Sequence, residues 1–142
     1  MPRVLNTQCV VDVVADLIRK ACYELDDNLV DALKSAYEKE QSPYGRDTLK
    51  ILIDNAEYAK PEQLPGCHDT GTCVLWVKIG QEITWEGAPL PQMLQKGVAK
   101  GYEEAYLRKS MVRDPIHDRT NTGDNTPAVI HYEIVAGDKV DI

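Results

Sequence analysis

The sequence predicts an α+β (mixed α/β) fold: N-terminal helices, then a small sheet with one intervening helix. Three observations carry the prediction. Apolar residues recur at three- and four-residue steps through the first 60 residues, two β-rich runs follow, and one further helical stripe lies between those runs. The length of 142 residues suits a single domain over 1–142, helical over 1–60 and made of strands and loops over 61–142. A chain of this size buries roughly two thirds of its unfolded surface, so it needs no disulfide or metal merely to fold. It contains no Phe, which leaves the core to Val, Leu, Ile and Ala with a few Tyr and Trp.

Val10, Val13, Val14, Leu17, Ile18, Ala21 and Cys22 share one face at helical spacing, which predicts a first helix from Thr7 to about Glu24 with Thr7 as its cap. Asp26-Asp27-Asn28 opens a second helix, because acids suit the positive end of the helix dipole; Leu29, Val30, Leu33, Ala36 and Tyr37 form its inward face. Ser42-Pro43 starts a third, and Lys60-Pro61 stops it, since proline lacks an N–H and clashes with the preceding turn. A loop with Pro61, Pro65, Gly66 and Gly71 follows. Cys73 to Ile79 reads as a strand ending at Gly80, with Glu82 to Trp85 as its hairpin partner. Pro89 to about Lys109 reads as a helix on the stripe Leu90, Leu94, Val98, Tyr102 and Leu107. Arg113 to Pro127 is polar and aperiodic. Ala128 to Val135 alternates as a strand, Gly137-Asp138 turns, and Lys139 to Ile142 begins another strand. That alternation is cut at Ile142, which predicts a piece of a longer protein or one subunit of an assembly.

Sixteen basic and 23 acidic residues leave a net charge of −7. An acidic chain without clustered Lys and Arg argues against nucleic acid or a membrane surface as partner. No apolar run approaches the roughly 20 residues that cross a bilayer. The N-terminus carries one Arg and has Asp12 inside its apolar stretch, a poor secretory signal. Cys9, Cys22, Cys67 and Cys73 are therefore expected to be free or metal-binding thiols in a reducing, cytoplasmic compartment.

Three segments could carry chemistry. In Leu64-Pro-Gly-Cys67-His68-Asp69-Thr70-Gly71-Thr72, a cysteine, a histidine and an aspartate sit consecutively in a Pro/Gly-framed loop before a strand. Adjacent residues in extended backbone point to different sides, so the three cannot all ligate one metal without a tight turn. Cys67 suits a soft metal with His68 and Asp69 working beside it. The bland reading is a half-buried cysteine, with Asp69 bonding the amides of Thr70 and Gly71. Cys67-x5-Cys73 is not a zinc spacing, Cys73 and Cys22 belong to apolar faces, and Cys9 has no partner in the sequence. In Gly101-Tyr-Glu-Glu-Ala-Tyr-Leu-Arg108-Lys-Ser110, Arg108 either complements a helix C-terminus or grips a carboxylate with its planar fork. In Arg119-Thr-Asn121-Thr-Gly-Asp-Asn125-Thr-Pro127, the polar side chains around one Gly either bond a small anion or hold a turn, and turn chemistry is the stronger reading of that segment alone. His117 is expected to be exposed and His131 to be a strand residue.

Taken together, PGCHDTGT, GYEEAYLRKS and NTGDNTPAVIH resemble, in this order, the motifs of the class I, iron–sulfur-dependent fumarate hydratases and their tartrate dehydratase relatives. The resemblance is to the alpha subunit or the N-terminal part of the single-chain form, and it covers almost the whole chain. It implies a hydro-lyase that reversibly hydrates fumarate to malate, with L-tartrate dehydration as the alternative. It implies that Cys67 is one of three thiolates on a [4Fe–4S] cluster whose open iron polarises the substrate's hydroxyl. It implies catalytic roles for His68 and Asp69, with Thr70, Gly71, Arg108, Asn121 and Asn125 binding a C4 dicarboxylate substrate and Arg108 pairing with a carboxylate. The proton-abstracting base and the other two cluster cysteines are expected outside this chain, in a beta subunit or C-terminal domain and in downstream alpha sequence. A homo- or hetero-oligomer is implied, and the isolated chain is expected neither to hold the cluster nor to turn over. Members carry Gln where His68 stands here, and an imidazole there can charge near neutral pH. Two other readings are a truncated, non-catalytic chain that only assembles with partners, and a small Cys/His metal-binding module at Cys67-His68.

Overall fold

A computed structural model describes residues 2–67 and 71–142. The order of elements is β1 (Arg3–Asn6), α1 (Cys9–Tyr23), α2 (Asp27–Lys39), α3 (Pro43–Glu62), β2 (Val74–Gly80), β3 (Ile83–Glu86), α4 (Leu90–Glu104), β4 (Val129–Val135) and β5 (Val140–Asp141). This is the α+β mixture expected, with two small sheets. The chain divides into two compact units, Met1–Ile18 with Thr70–Ile142, and Arg19–Asp69. No helix among the described residues is long and apolar enough to cross a membrane.

In the first unit, β2 is the centre of a three-stranded sheet of order β4-β2-β5, with β4 parallel and β5 antiparallel to it. Leu75 and Val77 of β2 are buried, while Val74, Trp76 and Lys78 point the other way, the period of two that a half-buried strand requires. The chain leaving β4 crosses the end of β2 before running back as β5. There Gly80 donates its N–H to Lys139 O at 2.8 Å, and a Cβ on it would stand 2.3 Å from the Gly137 carbonyl oxygen. The same crossing corrects the expected hairpin. Gln81 and Glu82 donate their amides to Val135 O and Gly137 O. Held there, the chain cannot fold back on β2, and β3 instead pairs in parallel with β1, Arg3 opposite Ile83 and Asn6 opposite Glu86.

β1 is a second correction, since the first 60 residues were expected to be helical. Thr7 is not a side-chain cap of α1. It is 1 % exposed, its amide is bonded to Glu86 O, and its hydroxyl donates to that same oxygen. The N-terminal part of α1 and α4 approach very closely. A Cβ on Gly97 would meet the Val14 side chain at 2.7 Å, and one on Gly101 would meet the Ala15 Cα at 3.1 Å. Val10, Val14, Ile18, Leu94, Val98 and Tyr102 are buried in this unit's core. α4 ends at Glu104, short of the expected Lys109. Tyr106 takes a left-handed φ of 52°, Leu107 N–H bonds Tyr102 O and Tyr106 N–H bonds Glu103 O. That is a Schellman stop with a buried residue on each side of the turn.

In the second unit, Asp26 caps α2 by accepting from Asn28 N–H at 2.8 Å. Ser42 caps α3 by accepting from Gly45 N–H. α3 does not stop at Pro61. It runs through it to Glu62 and ends at Gln63, φ 52°, with Leu64 N–H on Ala59 O. Pro61 lies in the last turn, where its missing N–H forfeits a single bond. The inward face expected for α2 is only partly covered: Val30, Leu33 and Tyr37 are half-buried, none of its residues is fully buried, and Leu29 is 48 % exposed. α2 is tied to α3 by the Arg46 guanidinium, which donates to Tyr37 O at 3.1 Å and sits 4.4 Å from the centre of the Tyr37 ring. The turn that carries Cys67 is fixed by Gly66 N–H to Cys22 O, 2.9 Å, and by Cys67 N–H to the Asn55 side-chain oxygen, 2.7 Å.

Candidate functional site

The sequence-predicted site residues fall into two sets. Cys67 belongs to the Arg19–Asp69 unit, whereas Gly71, Arg108, Asn121 and Asn125 belong to the other. His68, Asp69 and Thr70 lie outside the described residues. Cys67 is exposed and uncombined, and it lines a cavity of about 410 Å³ with Cys22, Leu33, Leu52 and Ala59. Cys22 is half-buried, and burial pushes its thiol up from the ordinary value, as suits a packing cysteine. The carbonyl of Cys73, just before β2, accepts from Val129 N–H at the start of β4.

The other set is built around Asn125. This residue is fully buried at φ 60°, a left-handed conformation that Asn tolerates better than most residues. Its side-chain oxygen accepts from Ser110 N–H at 2.7 Å and Met111 N–H at 3.0 Å, and its amide donates to Gly71 O at 3.3 Å. One side chain thus joins three stretches: the loop after α4, the polar loop before β4, and the chain leading into β2. Asn121 is exposed but committed in the same way, donating to Lys109 O at 2.8 Å and accepting from Gly123 N–H at 2.7 Å. Both asparagines therefore hold backbone around Arg108.

The acids of this loop also work on backbone. Asp114 accepts from His117 N–H and Ile116 N–H, and these bonds hold its carboxyl below the usual value. At Asp124 burial opposes ionisation, but bonds from the Thr126 amide and hydroxyl outweigh it, so its carboxyl also lies below the usual value. A depressed carboxyl contributes stability that is complete above its unfolded value, near about pH 4, and is lost as pH falls through the lower folded value. Asp124→Asn should thus lose less stability than the parent between about pH 6 and about pH 3, a difference under about 1 kcal/mol given the group's exposure. Equal urea midpoint shifts for both proteins would remove that role.

The guanidinium groups divide sharply. Arg3, Arg19 and Arg46 each donate to a carbonyl or amide oxygen. Arg108, Arg113 and Arg119 make no side-chain hydrogen bond or ion pair among the described residues, and all three are exposed. Their neighbour Lys109 is taken up by Glu103. Arg108 lies four residues beyond the end of α4, so it is not the helix-end charge considered from sequence. Three exposed cations without a side-chain partner among the described residues thus lie in one stretch of an acidic chain, and each planar guanidinium can hold an anion by bidentate contacts. Sequence reading missed Gln95 of α4, whose side chain accepts from Ala128 N–H at 2.8 Å and donates to Ala128 O at 3.0 Å. No motif marks it. His117 is exposed, and His131 is a strand residue stacked on Trp76 with ring centres 5.5 Å apart.

The model for fumarate hydratase (Fumerase) matches residues 11–142. The chain belongs to the Fumerase family. It is 36 % identical over 121 residues to the "Putative L(+)-tartrate dehydratase subunit alpha" of Methanocaldococcus jannaschii, covering 83 % of this chain and 42 % of that one. It is 31 % identical over 115 residues to the L(+)-tartrate dehydratase subunit alpha of Escherichia coli K12, covering 81 % of this chain and 37 % of that one, and equally to the protein of that name in Shigella boydii. The chain spans about two fifths of the length of these curated relatives. For a Fumerase chain the question of an iron–sulfur cluster follows directly. Such clusters usually take thiolates at most of their irons. Among the described residues no group of three or more His, Cys, Asp or Glu converges as a ligand set, and Cys9 and Cys67 are exposed thiols. The described residues thus hold no complete cluster site.

Proposed function

We propose that this Fumerase chain is the alpha-type part of an iron–sulfur hydro-lyase that reversibly hydrates fumarate to malate. The loop cations carry this reading: Arg108, Arg113 and Arg119 are exposed and unpaired among the described residues, in an acidic chain of this family. Arg108 grips one carboxylate of a C4 dicarboxylate, and the charges of Arg113 and Arg119 draw the dianion against the net charge of −7. Asn121 and Asn125 act through backbone, fixing the loop that presents Arg108, with Thr70 and Gly71 lining the substrate. His68 and Asp69 stand at the reacting hydroxyl, and His68 in place of Gln makes the activity sensitive to pH near neutrality. Cys67 contributes one thiolate toward a [4Fe–4S] cluster, which when bound supplies Lewis-acid polarisation. The remaining ligands and the base come from downstream alpha sequence and a beta subunit or C-terminal domain. Residues 1–142 serve as one domain of that assembly. The assembly works in the cytoplasm, where an exposed Cys67 stays reduced.

A second reading, L-tartrate dehydration, is favoured by the names of the relatives at 31 and 36 % identity. The test is an anaerobic assay of the chain within its complete alpha-plus-beta protein, comparing fumarate hydration with L(+)-tartrate dehydration. Turnover of fumarate supports the main reading, turnover of tartrate alone the second, and neither, with no iron bound, overturns both. Arg108→Ala in that protein should lower kcat/KM about 10- to 100-fold, since a charge-assisted contact is worth about 1.5–3 kcal/mol. Unchanged kinetics would remove Arg108 from the substrate site.

A further inference from the structure

We propose that Asn55 is the positioning residue of Cys67: from α3 it holds the backbone that carries the thiol, so that Cys67 is set in place for the cluster. This role rests on the function proposed above. All of its parts lie within the Arg19–Asp69 unit. Leu52, Asn55, Ala56 and Ala59 recur at steps of three and four along α3, which puts them on one face, and they line the same cavity as Cys67. Asn55 is the polar member of that stripe, and it is half-buried. Asn is a poor residue for a helix interior, because its side chain competes for backbone hydrogen bonds; leucine or alanine would serve both the helix and the apolar face better. Asn55 instead turns its side-chain oxygen to the turn beyond the helix and accepts the Cys67 N–H at 2.7 Å.

The residue before Cys67 is tied separately. Gly66 donates its N–H at 2.9 Å to the carbonyl of Cys22, which lies in the last turn of α1, where carbonyls run out of helical donors. Two successive amides are thus held by two different helices, the first by backbone and the second by a side chain. The first tie alone does not place Cys67. Glycine rotates more freely than any other residue, so the chain beyond an anchored Gly66 N–H can still swing. The bond from Cys67 N–H to Asn55 removes that freedom, and the Cβ and thiol that follow keep one position. Groups that orient a metal's ligand in this way commonly matter about 10- to 100-fold in metal affinity, although they never touch the metal.

The test uses the complete alpha-plus-beta protein, prepared anaerobically, as parent, Asn55→Leu and Asn55→Asp. Leucine removes the acceptor at similar size, and aspartate keeps an acceptor oxygen in its place. In the iron-free protein the Cys67 amide should exchange with solvent about tenfold faster in Asn55→Leu than in the parent, and near the parent rate in Asn55→Asp. After loading with iron and sulfide, Asn55→Leu should lose its visible absorbance to a ferrous-iron chelator about tenfold faster or more, again with Asn55→Asp close to the parent. Circular dichroism should be the same for all three. If Asn55→Leu fails to fold, Asn55→Ala, which also lacks the acceptor, replaces it in the same comparison. A parent that binds no iron overturns the proposed function, and this role with it. A parent that binds iron, joined by an acceptor-free variant with unchanged amide exchange or unchanged iron loss, overturns the role of Asn55 alone. Failure of Asn55→Asp to restore both readouts does the same.

Discussion

Gly80→Ala is expected to destabilise the protein by about 3 kcal/mol, a large part of the roughly 5–15 kcal/mol that holds a domain of ordinary stability together. The added Cβ would stand 2.3 Å from the carbonyl oxygen of Gly137 and 2.7 Å from its carbon, and both are backbone atoms. Neither strand can step aside cheaply. Gly80 N–H holds Lys139 O, and Glu82 N–H holds Gly137 O, so relief of the clash breaks the bonds that carry the chain from β4 to β5. Gly71→Ala is the matching control. Among the described residues, its chain neighbours aside, no atom lies within 4 Å of the position its Cβ would take, and its effect should stay within about 0.5 kcal/mol. Urea unfolding of the two variants checks the contrast. If Gly80→Ala unfolds at the parent's midpoint, the crossing is not as tight as described.

Asn125→Ala should cost a similar amount, about 3 kcal/mol. Three bonds are lost at once, to Ser110 N–H, Met111 N–H and Gly71 O, and alanine must then occupy φ 60° without Asn's tolerance for it. Asn125→Gly separates the two contributions, since it keeps the backbone freedom and loses only the bonds. The glycine variant should lie between parent and alanine. On the proposed function, both variants should also raise KM for a C4 dicarboxylate in the complete protein, because the Ser110–Met111 backbone that Asn125 fixes begins two residues after Arg108. Stability and KM both unchanged in Asn125→Ala would mean that the buried amide holds nothing.

Much of the fold is legible because it is local. Asp26 and Ser42 announce the starts of α2 and α3 by side chains that cap their own helices, and β2 is half-buried with alternating faces, whereas β4 alternates in sequence but has no buried residue. Where the reading failed, the deciding partner was distant or the pattern carried on past the element. The four residues of β1 have no strand signal of their own, and pairing with Ile83–Glu86 makes them one. The stripe of α4 ran on to Leu107 because a Schellman turn places an apolar residue just past the helix it closes. α2 is amphipathic in sequence, but periodicity cannot say whether an apolar face is covered, and here Leu29 is not. The candidate site shows the same division. Its composition of Asn, Asp, Thr and Arg was visible, whereas the full burial of Asn125, the exposure of Asn121 and the grip of Gln95 on Ala128 depend on which backbone groups tertiary structure leaves unpaired.

The strand pairings have a kinetic consequence. Arg3 meets Ile83, Val74 meets Val129 and Lys78 meets Asp141, so the ladders of both sheets join residues far apart along the chain. Chain-closure entropy must be met before any of these contacts forms, which slows folding relative to hairpin-built sheets of equal size. During synthesis β1 leaves the ribosome well before β3, and α1, α2 and α3 emerge in between. The helices can consolidate as they appear, but each sheet waits for strands made much later.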